Sequence, residues 1–193
     1  MKKSLLFLLL LFFSCFSNAQ STITIEDVVL PVNLKLKLDD FKTKLVLNGC
    51  GVRTKFFISL YVEALYLKEK NSDAKFILYS KDPMMIRLHL TSSLVTNEKI
   101  IDAINSGIKK TYIGDLAPIQ LKMNEMIAFF KNALKPDDYI DLIYNPDIDS
   151  IVVNYNEKTI GKVQGFEFKR ALFGIWLEEK PINKTLKSRL LGL

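Results

Sequence analysis

Hydrophobic and polar positions divide the chain into stretches of strand period and stretches of helix period. The longest strand-like stretch is residues 47–67, LNGCGVRTKFFISLYVEALYL, broken by glycine at its start and β-prone thereafter. From Val52 its even positions are almost wholly apolar, running through Phe56, Ile58, Leu60, Val62 and Tyr66. Its odd positions are mixed and include Arg53, Lys55, Ser59, Tyr61 and Glu63. In a strand, this alternation buries the even face and leaves the odd face to line a cleft or meet water.

Residues 23–30 and 34–38 also read as strands, broken at Pro31 and Asn33, and a turn at Asp39-Asp40 leads into residues 44–48. These leading strands are expected to form hairpins. A short helix over 74–79 follows the helix-start residues Asn71, Ser72 and Asp73, and a strand over 84–91 has one apolar face. Thr96 is a good N-cap for a helix over 97–110, whose buried stripe is Ile100, Ile104 and Ile108. Within it, Gly107 leaves room for a neighbouring strand to approach. A second helix is expected from about Pro118 to Leu134, with Met123, Met126, Ile127, Phe130 and Leu134 on one face. That methionine stripe reads either as core or as the wall of an adaptable pocket. Strands over 139–144, 151–155 and 159–163 make an antiparallel meander joined by turn residues. The remainder is helical, with Phe166, Phe168, Leu172, Ile175 and Trp176 on one face and an amphipathic tail after Pro181. Grouped strands and grouped helices predict an α+β domain, a large antiparallel sheet covered on one face by a layer of helices.

Residues 1–19 stand apart. Lys2 and Lys3, the apolar run from Leu5 to Phe13, and small residues at Ser17 and Ala19 read as a signal peptide cut before Gln20. The run is about half of the roughly 20 residues needed to span a bilayer, which argues against a membrane anchor. A third reading makes Cys15 the lipid-bearing first residue of a lipoprotein, against which bulky Phe12 and Phe13 speak. Cleavage leaves residues 20–193 as a single domain without a transmembrane segment, exported to the periplasm if the source is Gram-negative. Of the 27 basic residues 25 then face 21 acidic ones, a net charge of about +4, with the two signs interspersed. A nucleic-acid binder would instead carry a basic stripe interleaved with stacking aromatics. Cys50 remains as the one cysteine, so no internal disulfide staples the fold.

General catalytic signatures are missing: there is no GxGxxG, Walker loop, HExxH, GxSxG or CxxC. His89, the single histidine, reads as a general base or metal ligand, or as a surface strand residue, and it lacks a second histidine or cysteine to complete a metal site. Asp137, Asp138, Asp141, Asp147 and Asp149 lack the glycine and terminal glutamate of a calcium loop. Neither a metal nor a cofactor is expected.

Residues 47–67, the helix opening TNEKIIDAI and the C-terminal FEFKRALFGIWLEEKPINKTLKSRLLG together resemble the chalcone isomerase-like family, in particular its exported bacterial branch. The resemblance covers nearly all of the chain after the leader. It implies a large antiparallel sheet packed on helices with a ligand cleft between them. The family includes plant enzymes that cyclise chalcones and non-catalytic members that bind fatty acids, and in both an arginine matching Arg53 reaches the cleft. The enzymes' strand threonine corresponds to Tyr61, as in the fatty-acid binders, and their other polar site positions to Thr96, Ala103 and Ile175. Losing donors that stabilise developing charge costs orders of magnitude in rate. The resemblance therefore implies a binder of a fatty acid or other amphipathic carboxylate, with Arg53, Tyr61 and Thr96 as ligand-binding residues. Two alternatives are an isomerase or intramolecular lyase with Arg53 as electrophilic stabiliser, and an envelope interaction protein with a filled core. One geometric difficulty stands against a joint role for Arg53 and Tyr61. In an uninterrupted strand rising about 3.3 Å per residue they lie roughly 26 Å apart.

Overall fold

The computed structural model describes residues 21–193, so the leader of residues 1–19 and its cut site lie outside the described residues. Seven strands form one antiparallel sheet in chain order: β3 (Asn33–Leu38), β4 (Phe41–Lys55), β5 (Ile58–Leu67), β6 (Met84–Leu90), β7 (Tyr139–Asn145), β8 (Ser150–Tyr155) and β9 (Lys158–Gln164). Five helices accompany it: α1 (Ala74–Tyr79), α2 (Asn97–Thr111), α3 (Leu116–Ile127), α4 (Phe166–Leu177) and α5 (Lys184–Leu190). This is the expected α+β architecture, with one addition. β1 (Thr22–Ile25) and β2 (Val28–Pro31) make a separate hairpin. Glu26 and Asp27 turn it, both in the left-handed region at φ 46° and 64°, so residues 23–30 are two strands rather than one.

Side chains alternate between two cores. On the helix side Leu65, Ile86, Leu88 and Leu142 pack with Ile104, Leu172, Phe173 and Trp176. On the other side Val62, Ala64, Tyr66, Met85 and Ile143 are covered by Val28 and Leu30 of the small hairpin. Burial on both faces explains why the end of β5, Ala64 to Leu67, reads as a continuous apolar run.

The long β-prone stretch is not one strand. Phe56 and Phe57 adopt φ 50° and 63°, forming a two-residue turn that folds β5 back on β4. Next to the turn a bulge at Leu60 shifts the register, since Thr54 faces Ser59 while Arg53 faces Tyr61. Leu60 thereby joins Tyr61 against the helix-side core despite its even position.

A second bulge, at Asn48, separates the Leu47–Tyr66 and Gly49–Leu65 pairs. Asn48 donates through Nδ2 to the Leu190 carbonyl at 2.8 Å and accepts from the Asn71 amide at 2.7 Å. It ties α5 to the sheet. Gly49 lies under the same helix: a Cβ there would stand 2.0 Å from the Arg189 carbonyl oxygen. At Gly107 it is α4, not a strand, that approaches, with a Cβ position 2.8 Å from Ile175. α3 ends at Ile127 instead of continuing to Leu134, because the chain turns through hydrogen bonds from Phe129 to the Met126 carbonyl and from Phe130 to that of Ile127.

Candidate functional site

The turn at Phe56 and Phe57 carries the site, because it brings Arg53 on β4 directly opposite Tyr61 on β5. The separation expected of a continuous strand disappears. Both side chains line a cavity of about 620 Å³ between this end of the sheet and α2, a volume in the range of small-molecule sites. Leu60 and Ile58 continue the sheet wall, Leu94 and Val95 close one side, and Ile182 contributes from the segment before α5. α2 supplies Lys99, Ala103, Ser106, Gly107 and Lys110, a single helical face. From Lys99 to Lys110 the cavity follows α2 for about 17 Å at 1.5 Å per residue.

Charge in the lining is one-sided. Arg53, Lys55, Lys99 and Lys110 face one carboxylate, Asp102. Arg53 donates to the neighbouring Thr54 carbonyl at 2.7 Å, and among the described residues no carboxylate lies within ion-pair distance of it. Lys110 donates to the Pro181 carbonyl at 3.0 Å. Tyr61 accepts a long hydrogen bond of 3.5 Å from the Trp176 indole. Burial pushes the Tyr61 phenol well above its ordinary range, with the Glu63 carboxyl adding to the rise and Trp176 and Arg53 opposing it. Tyr61 is therefore a neutral donor and acceptor beside the Arg53 cation.

Glu63 was the least conspicuous of these residues in the sequence. It is fully buried on the helix-covered face, two residues from Tyr61, and neither carboxylate oxygen has a hydrogen-bond partner. Burial raises its pKa well above the usual carboxylate value, against the pull of Arg53. Burial thus disfavours the ionised form of Glu63, the form that would offset the Arg53 charge. The one signal of this in the sequence is a charge inside the apolar run from Tyr61 to Leu67, where nothing in the spacing separates a buried acid from an edge residue.

The remaining candidates fall elsewhere. Thr96 caps α2, accepting from the Lys99 amide at 3.4 Å, and is exposed outside the cavity lining. Ala103 lines the cavity, whereas Ile175 is buried beneath Gly107. Met123 and Met126 are core residues. His89 lies on the face away from the helices, stacked on Tyr139 at 6.0 Å and 4.0 Å from Asp137. Asp141 takes a bidentate pair from Arg87 at 2.7 and 2.8 Å, Asp138 accepts from Tyr155 and Asn156, and Asp149 accepts from Tyr144. These acids hold strands and turns together.

The cavity, a cation facing a tyrosine at the mouth of an apolar groove, sits in a fold shared with known proteins. The fatty-acid-binding protein of Arabidopsis thaliana has a similar structure, with a TM-score of 0.70 at 16% sequence identity, over 89% of this chain and 96% of that one. A comparison with curated proteins found no match. The family model described as chalcone isomerase-like matches residues 23–192, and the chain belongs to that family.

Proposed function

We propose that this protein is a non-catalytic binder of a fatty acid or a similar amphipathic carboxylate, exported from the cell. The observation that carries the reading is Arg53. It is a cation with no carboxylate within ion-pair distance among the described residues, set opposite a tyrosine in the lining of the cavity. A ligand carboxylate would take charge-assisted hydrogen bonds from Arg53 and one from Tyr61, while the chain lies along α2 against Leu60, Val95, Ile100 and Ala103. The likeness to a fatty-acid-binding protein and membership in the chalcone isomerase-like family support the same reading. The leader pattern of residues 1–19 supports export, to the periplasm in a Gram-negative source.

Identifying the small molecules released on denaturing purified protein tests this. An acyl carboxylate recovered from wild type and depleted in Arg53→Ala is the expected result; no acyl species from either protein overturns it. One observation favours a second reading, an isomerase. The Glu63 carboxyl is buried two residues from Tyr61 without a hydrogen-bond partner, and burial disfavours its ionised form. That reading requires turnover of a substrate that disappears in both Arg53→Ala and Glu63→Gln.

A further inference from the structure

The turn between β4 and β5 presents two phenylalanines to solvent. Phe56 is 83% exposed and Phe57 is fully exposed, with Ile58 and Leu94 about half exposed beside them. Both phenylalanines occupy left-handed backbone positions, which two-residue hairpin turns ordinarily fill with asparagine or glycine. Backbone preference therefore does not account for them, and neither does core packing. Phe56, Ile58 and Leu94 also line the cavity, so the exposed tip is continuous with its entrance.

The surroundings of the tip are basic. The Lys55 ammonium stands 5.7 Å from the centre of the Phe56 ring, and Arg53, Lys99 and Lys110 lie along the same opening. Carboxylates on this side include Asp102 in the lining and Glu26, which accepts from the Ser59 hydroxyl at 2.9 Å and is followed in its turn by exposed Asp27. Apolar rings at the apex with cations set back from them is the arrangement that inserts into a bilayer interface while the cations meet lipid headgroups. A protein partner is the poorer fit. An aromatic side chain buries roughly 150–250 Å². Two rings therefore fall well short of the roughly 800 Å² that one partner contributes to a stable interface.

We infer that the Phe56-Phe57 turn is a membrane-docking element that seats the cavity mouth on an anionic phospholipid surface, where a lipid-derived ligand enters and leaves. The ligand class rests on the carboxylate-binding reading above; docking itself does not.

The test uses Phe57→Gly, since Phe57 does not line the cavity and glycine takes its backbone conformation readily. Wild type and variant, purified from the same host with the same processed N-terminus confirmed by intact mass, are floated with vesicles of phosphatidylglycerol and phosphatidylcholine, and with phosphatidylcholine alone. Wild type should bind the anionic vesicles in a salt-sensitive manner, and Phe57→Gly should bind at least about tenfold more weakly, the scale expected from losing one inserted ring. Both should bind laurate equally in vesicle-free buffer. Absence of wild-type binding to anionic vesicles, or undiminished binding by Phe57→Gly, overturns the inference, including the case in which the tip serves a protein partner. Arg53→Ala separates the two claims: it should lose laurate binding, while vesicle flotation should weaken by no more than the share of one cation, since Lys55, Lys99, Lys110 and both rings remain. If no protein binds laurate while Phe57 still governs flotation, the ligand reading fails and docking stands.

Discussion

Arg53 and Tyr61 face each other across a hairpin, as register partners on β4 and β5, and not as distant points on one strand. The pairing depends on the bulge at Leu60, which restores Tyr61 to the face that Arg53 occupies. Tyr61 then offers one neutral hydrogen bond beside a charge. Tyr61→Phe should weaken binding of a saturated fatty acid by about three- to tenfold, the scale of one net hydrogen bond, while thermal stability changes little because the Trp176 contact is long. Equilibrium titration of the acid together with a melting curve checks both parts.

Glu63 makes the fold pH-sensitive in a defined direction. Its pKa in the folded chain is raised above the ordinary 4.5, so between that value and the folded pKa the native state binds more protons than the unfolded state. Its stabilising contribution is complete below pH 4.5 and is lost as pH rises through the folded pKa. Glu63→Gln should remove this loss, so the stability difference between variant and wild type should move in the variant's favour as pH rises above 4.5. Urea midpoints measured across that range check it; a variant that loses more stability than wild type on the alkaline side contradicts the assignment.

The glycine pattern before Arg53 serves packing. Gly49 lies under the backbone of α5, and a Cβ at Gly51 would stand 3.0 Å from the Leu186 and Arg189 side chains. Gly49→Ala cannot be relieved by rotating a side chain, since the atoms it meets are carbonyls. It should cost about 3 kcal/mol or more in denaturant unfolding, beyond the usual range for one added methyl. Gly51→Ala, which meets the side chains of Leu186 and Arg189, should cost less.

Lys169, buried in α4, donates to the carbonyls of Ile77, Leu78 and Ser80 at 2.8 to 2.9 Å, closing the end of α1. Its three N–H groups match three acceptors. Lys169→Met keeps much of the volume and strands those carbonyls, so it should destabilise the protein by about 2–4 kcal/mol in chemical unfolding. Hydrogen exchange should rise first in α1.

Much of this was legible from pattern. The period of Ile100, Ile104 and Ile108 with Thr96 as cap defines α2. Odd-position alternation after Val52 groups Arg53 with Tyr61, and the structure keeps that grouping only because the bulge at Leu60 offsets the change of parity at the turn. What escaped has physical causes. Phe56 and Phe57 are strong strand formers and poor turn formers, so the hairpin between them leaves no local mark. Glu26 and Asp27 turn β1 into β2 by the same left-handed geometry, inside a run that alternates well enough for one strand. Phe129 and Phe130 extend the apolar pattern of α3 past the point where the backbone leaves the helix. Thr96 carries both a capping signal and a resemblance to a site position, and in the structure its oxygen caps α2.

The most direct measurement compares binding of a saturated fatty acid and the corresponding alcohol to wild type and Arg53→Ala by equilibrium titration. If Arg53 recognises the carboxylate, the variant should lose about ten- to a hundredfold in affinity for the acid and little for the alcohol, as expected for a charge-assisted pair. Equal losses for both ligands, or no loss for the acid, would contradict it.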